Sequence, residues 1–195
     1  SATNVVPGQG RIKQFKGTGF DYNAATANIS YTPAKFINFQ IGNGKNFIGD
    51  GYRSLFLSDN ANSYPYLKII ANIWKIKYMA LYTNFQDIRN SNGIYSKYKE
   101  NFSTIHYLSY NATKWLNFGF FESIIFEAQE GNFYRGYEVS YLNPIIFLRS
   151  TEFAQGSADN ALLGGSLKIK IKKKNIFYGN FGDFVRVYCF IYTGF

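Results

Sequence analysis

Residues 74 to 83 alternate with a period of two. Trp74, Ile76, Tyr78, Ala80 and Tyr82 fall in one register, and Lys75, Lys77 and Thr83 in the other. That period is the mark of a β-strand with one apolar and one wet face. The pattern recurs in residues 161 to 172, where Leu163, Leu167, Ile169 and Ile171 oppose Ser166, Lys168, Lys170 and Lys172. It recurs again where Ile37, Phe39 and Ile41 oppose Asn38 and Gln40. In residues 115 to 127, Leu116, Phe118, Phe120, Ile124 and Phe126 share a side, but Glu122 falls among them, so a bulge or strand end is expected there. The chain has 17 Tyr, 20 Phe and a single Met, and aromatic residues favour strands over helices. At 46% hydrophobic it has enough apolar surface to offset the entropy of ordering, which excludes a disordered chain.

Two kinds of connection separate the strands. Tight links are expected at Thr32 to Lys35, Asn72-Ile73, Thr113-Lys114, Asn143-Pro144 and Lys172 to Lys174. Long loops rich in Gly, Asn and Ser are expected at 43–63, 87–103, 128–136 and 151–160, with 1–19 as an N-terminal extension or loop. Strands are then expected at 20–32, 36–42, 64–71, 74–86, 104–112, 115–127, 137–142, 145–150, 161–171 and 175–181, with a last at 184–195, all in one domain, 1–195. Splitting 137–150 at Pro144 lets tight turns and long loops alternate throughout.

Short turns at one end, long loops at the other, strands of roughly 10 residues and abundant aromatics are features of an outer-membrane β-barrel. The expected fold class is therefore all-β, an antiparallel transmembrane β-barrel with about 10–11 strands in this chain. A closed barrel pairs every backbone amide without a long apolar run. The longest stretches free of Asp, Glu, Lys and Arg, Tyr22 to Ala34 and Asn101 to Thr113, are too short and polar for a membrane-spanning helix. Lys75, Lys77, Lys168 and Lys170 would face a wet lumen. A soluble antiparallel barrel or sandwich also alternates in this way and is the competing fold. The chain opens on Ser1 without a charged start and apolar run, as a mature or truncated form would. Single-chain bacterial barrels have even strand numbers, so an odd count suggests that part of a barrel is missing from this chain or that one segment is not a strand. The aromatic ending at Phe195 fits a terminal barrel strand. The sequons at Asn28, Asn101 and Asn111 matter only in a eukaryotic secretory pathway, and Cys189 has no second cysteine to pair with.

Three blocks narrow the reading. Gly42 to Asp59, including Lys45-Asn46-Phe47-Ile48-Gly49-Asp50-Gly51-Tyr52-Arg53-Ser54, has no Gly-x4-Gly-Lys-[Ser/Thr] phosphate loop. It resembles instead the "GxxKNFIGxGYRSLxLSD" stretch of Wzi-like capsule-assembly barrels, a group that includes gliding-motility-associated barrels. Gly136 to Ser150 resembles their "G-x-E-x-x-YLNPIIFxRS" segment, and Gly156 to Gly164 their "GSxDNxxLG". The resemblance runs from Pro7 to Phe181. After it, Gly182 to Phe195 is basic and aromatic where the family continues with an acidic segment and further strands.

The resemblance implies a bacterial outer-membrane location and a non-enzymatic role in attaching or assembling surface polysaccharide; a structural or transport barrel serving gliding motility or protein secretion is the alternative. Lys45, Asn46, Asp50, Tyr52, Arg53 and Asp59, with Arg149, are the candidate polysaccharide ligands, because cationic, amide and aromatic groups together suit carbohydrate. Arg53 clamped to Asp50 or Asp59, and Arg149 paired with Glu138 or Glu152, are the internal alternatives. The net charge of +9 would attract an acidic polysaccharide. Outer-membrane lipid or lipopolysaccharide is a second expected partner, through Lys172 to Lys174, and other outer-membrane proteins are a third. No cofactor or metal is expected: His106 is the sole His and Cys189 the sole Cys. No Gly-x-Ser-x-Gly elbow is present, which leaves carboxylate pairs such as Glu122 with Glu127 or Glu138 as the only catalytic option. His106 is expected as a lumen or interface histidine. Nucleic acid is not an expected partner, since the aromatics and lysines occupy opposite registers rather than one stacking platform.

Overall fold

In a computed structural model, the structure describes residues 5–6, 10–50, 54–87, 94–130, 133–134, 136–137, 139–146, 160–171, 175–182 and 188–193. The strands are β1 (Val5–Val6), β2 (Gly10–Phe15), β3 (Gly19–Tyr22), β4 (Ala27–Ala34), β5 (Ile37–Gly44), β6 (Tyr64–Ile73), β7 (Ile76–Asp87), β8 (Lys99–Asn111), β9 (Leu116–Glu127), β10 (Gln129–Glu130), β11 (Phe133–Tyr134), β12 (Asn160–Ile171), β13 (Asn175–Gly182) and β14 (Tyr188–Thr193). Nine of them form one antiparallel sheet in the order β14-β13-β12-β9-β8-β7-β6-β5-β4. Among the described residues β4 and β14 do not pair with each other, and β1-β2-β3 form a separate small sheet. Among those residues no helix is long and apolar enough to cross a membrane.

The alternation read from the sequence is the alternation of the sheet. Ile37, Phe39 and Ile41 oppose Asn38 and Gln40, and Leu163, Leu167, Ile169 and Ile171 oppose Ser166, Lys168 and Lys170, in unbroken register with their neighbours. One face is therefore apolar and open to the surroundings: Ile29 is 74% exposed, Ile41 59% and Phe181 53%. The other face carries Ser30, Asn38, Lys77, Asn117 and Lys168.

Six expectations are corrected. The described part of the strands expected at 137–142 and 145–150 is not strand: Val139–Leu142 is a single 3-10 turn, 143–146 is not strand, and β12 pairs directly with β9; residues 138 and 147–150 lie outside the described set. The alternation of tight and long links survives in the sheet, because β9 and β12 are direct neighbours in it. Segment 1–19 holds most of a hairpin, Gln14 to Phe15 against Gly19 to Phe20, rather than a plain extension, and the strand expected at 20–32 divides into β3 and β4. Strand β8 begins at Lys99, inside the loop expected at 87–103. The tip expected at Asn72-Ile73 lies at Trp74-Lys75, because Ile73 pairs with Ile76; Trp74 stands at the turn, 82% exposed. Glu122 causes neither a bulge nor a strand end, since β8-β9 and β9-β12 keep register through it.

The two long segments fold over the sheet from opposite sides. Residues 45–50 and 54–57, the described part of segment 45–57, cover the polar face near the long-loop end, where Ile48 packs with Tyr64, Tyr66, Met79, Leu81, Ile105 and Phe121. On the apolar face, Tyr137 and Tyr141 pack on Phe102, Ile124 and Phe126. The strand ends of β7 to β9 are thus buried on both faces, which is where the core sits.

Candidate functional site

Segment 45–57 is held in place by its own backbone. Ile48 N–H donates to the Leu57 carbonyl at 3.0 Å and Leu57 N–H to Ile48 at 3.4 Å. Ser54 Oγ donates to the Ile48 carbonyl and accepts from Phe56 N–H at 3.0 Å. Gly49, at φ +122, takes a conformation that side-chain-bearing residues avoid, and a Cβ there would stand 2.2 Å from Ser54 Oγ. The Phe56 ring stacks on Phe121 with centroids 4.7 Å apart. It fits because Gly164 lacks a side chain: a Cβ on Gly164 would lie 2.6 Å from the ring.

A cleft of about 320 Å³ lies between this segment and the polar face, toward the tight-turn end. Phe47, Gly49 and Asp50 form one wall; Lys77 of β7 and Lys168 and Lys170 of β12 form others. Its floor is a hydrogen-bonded row in which Asn117 Nδ2 donates to Ser109 Oγ at 2.8 Å and to Asn111 Oδ1 at 2.9 Å. Asp50 is ion-paired with Lys168, with both side chains partly exposed to the cleft. Lys77 and Lys170 have no acidic partner among the described residues. Among those residues the cleft carries a net positive charge beside neutral amide and hydroxyl groups.

Of the seven residues expected as ligands, Lys45, Asn46, Asp50 and Asp59 are among the described residues, and these four do not gather in one place. Asp50 is in the cleft, ion-paired with Lys168. Lys45 is exposed in the same segment. Asn46 is buried and structural: its backbone N–H donates to Tyr64 Oη at 3.1 Å, and Lys68 Nζ donates to its Oδ1 at 3.0 Å. Asp59 is exposed in a turn. Tyr52, Arg53 and Arg149 lie outside the described residues, as do Glu138, Glu152 and the run 172–174. The lysines that do converge, Lys77, Lys168 and Lys170, were legible as one register of alternating strands. Nothing in the sequence indicated that the glycine-rich segment would fold over them.

The remaining titratable groups are placed elsewhere. His106 faces Glu122 across β8 and β9, its Nδ1 3.5 Å from Oε2, and both are nearly fully buried. They lie on the apolar face of the sheet, not on the face that carries Lys77 and Lys168. Segment 137–146 covers that face: Tyr78 Oη donates to the Pro144 carbonyl, and Tyr82 Oη to Leu142 at 3.1 Å. Glu122 and Glu127, five positions apart on β9, point to opposite faces and cannot flank one glycosidic bond. Glu127 pairs instead with Lys99 at 3.6 Å. No cluster of three potential metal ligands occurs among the described residues.

Compared with known proteins, the chain matches no protein-family model, no curated protein and no solved structure.

Proposed function

We propose that the chain forms wall strands of a bacterial outer-membrane β-barrel whose role is the non-enzymatic attachment or organisation of an acidic surface polysaccharide. The observation that carries this reading is the division of one nine-stranded antiparallel sheet into an open apolar face and a lysine-bearing polar face. A soluble protein keeps large apolar patches covered, and lipid is the surroundings that such a face suits. The tight-turn end supports it: the three described tips carry Lys35-Phe36, Trp74-Lys75 and Lys114-Trp115, with all three aromatics more than half exposed. Cation-aromatic pairs at strand ends match the headgroup interface. The polysaccharide role rests on the resemblance to Wzi-like barrels together with the cationic cleft. Segment 45–57, lying across the polar face as a constriction would, favours the second reading, a structural or transport barrel serving gliding motility or secretion.

Two experiments decide. After reconstitution, the protein should float with lipid vesicles in a density gradient and require detergent for extraction; a protein that stays soluble without detergent overturns the barrel. A deletion strain should lose capsule retention, whereas intact capsule with lost surface spreading transfers the function to the second reading.

A further inference from the structure

We propose that the cleft between segment 45–57 and the polar face binds a polycarboxylate chain, and that a ligand carboxylate takes the place of Asp50 at Lys168, loosening the segment. This rests on the surface-polysaccharide reading and assigns it a site and a mechanism.

Asp50 is the first indication of the ligand. Its carboxylate occupies Lys168 from the position next to Gly49, so the site already holds the functional group proposed for the ligand. The second is the spacing of the cations. Lys77 is on β7 and Lys168 on β12, with β8 and β9 between them, so three strand spacings, roughly 14 Å, separate their backbones. Lys168 and Lys170 are two residues apart on one face, roughly 6.6 Å along the strand. Cations set on separate backbones at such intervals suit a chain that itself carries charges at intervals. The third is what lies between: Ser109 and Asn117 offer neutral hydrogen-bonding groups suited to hydroxyls, and the half-exposed ring of Phe47 borders them. A lipid headgroup is disfavoured by placement, because the cleft opens on the polar face, opposite the apolar face where acyl chains would lie.

The coupling follows from shared use of Lys168. Ligand and Asp50 compete for one ammonium, so whatever favours one weakens the other by the same factor. Release of Asp50 frees residues 49 and 50, while the Ile48–Leu57 bridge and Phe56 keep the segment seated. The movement is confined to the rim of the cleft.

The test is calorimetric titration of the detergent-solubilised chain with oligogalacturonate, against neutral dextran oligomers and inorganic phosphate. Oligogalacturonate should bind and dextran should not. The double variant Lys77→Gln/Lys170→Gln should bind about tenfold more weakly, and Lys77→Arg/Lys170→Arg should recover most of the loss. Asp50→Asn removes the internal competitor and should bind severalfold more tightly. Unchanged affinity in the glutamine variant at an unchanged melting temperature overturns the site. Weaker or equal binding in Asp50→Asn overturns the exchange, and full competition by equimolar inorganic phosphate overturns the polycarboxylate assignment. Failure here is distinguishable from failure of the functional reading. Capsule lost on deletion but fully restored by the glutamine variant defeats the cleft alone; a protein that does not float with lipid, yet follows the variant pattern, defeats the barrel alone.

Discussion

Glu122 shows how a single residue can keep strand register and break its chemistry. It shares the apolar face with Phe118, Phe120, Ile124 and Phe126, and the ladders on both sides run through it unbroken. A carboxylate there is tolerated because His106 stands directly across and segment 137–146 shields both from the surroundings. Removing one of two buried polar neighbours leaves the other facing apolar surroundings, whereas replacing both by apolar groups removes the problem. His106→Leu alone should therefore destabilise the chain by roughly 1–3 kcal/mol, and His106→Leu/Glu122→Leu should recover most of that. Thermal melting in detergent checks it; additive losses would mean that the two side chains are not coupled. The sequence exposed Glu122 as an anomaly. It did not expose its partner, because cross-strand neighbours depend on register and not on sequence distance.

At the scale of the element, segment 137–146 is the clearest departure from the sequence expectation. Its short run of Val, Tyr, Leu and Ile reads as strand, and periodicity alone does not separate a strand from a cover that buries the same residues. The cover wins because Tyr137 and Tyr141 find aromatic partners on β8 and β9: Tyr141 packs 4.6 Å from Phe126, and Tyr137 5.1 Å from Phe102. Thr104 Oγ1 also donates to the Tyr141 carbonyl at 2.9 Å. Burial pushes the Tyr137 phenol above its ordinary value near 10, with the Thr104 hydrogen bond opposing and Tyr82 adding to the shift. The docked segment therefore holds a proton that the undocked segment releases once the pH passes about 10, so docking weakens as pH rises above that value. Hydrogen-exchange protection at residues 139 to 146, taken relative to the intrinsic rate at each pH, should fall above that pH, and Tyr137→Phe should flatten the dependence. An unchanged profile in the variant assigns the effect to another group. Segment 45–57 carries the complementary lesson: its glycines were legible as a loop, but its docking depends on slots at Gly164 and Phe121 far along the chain.

For the whole molecule, the tips at 35–36, 74–75 and 112–115 lie at one end of the sheet, because antiparallel hairpins return every second connection to the same edge. The chain has 2 Trp, Trp74 and Trp115, and both stand at that end. If that end meets a lipid headgroup layer, brominated lipids should quench both tryptophans most strongly at the same shallow depth. Quenching at two different depths, or none, would separate the tips from a common interface. The sequence by itself determined the strands, their two faces and the alternation of tight and long connections. These follow from a period of two and from turn chemistry, which are local properties of the chain. Only the tertiary structure decided that β12 joins β9 directly, that Asp50 meets Lys168, that His106 meets Glu122 and that the two long segments cover opposite faces. Those pairings join residues distant in sequence, and the choice among them is made by which packing buries the most aromatic surface without leaving a charge alone.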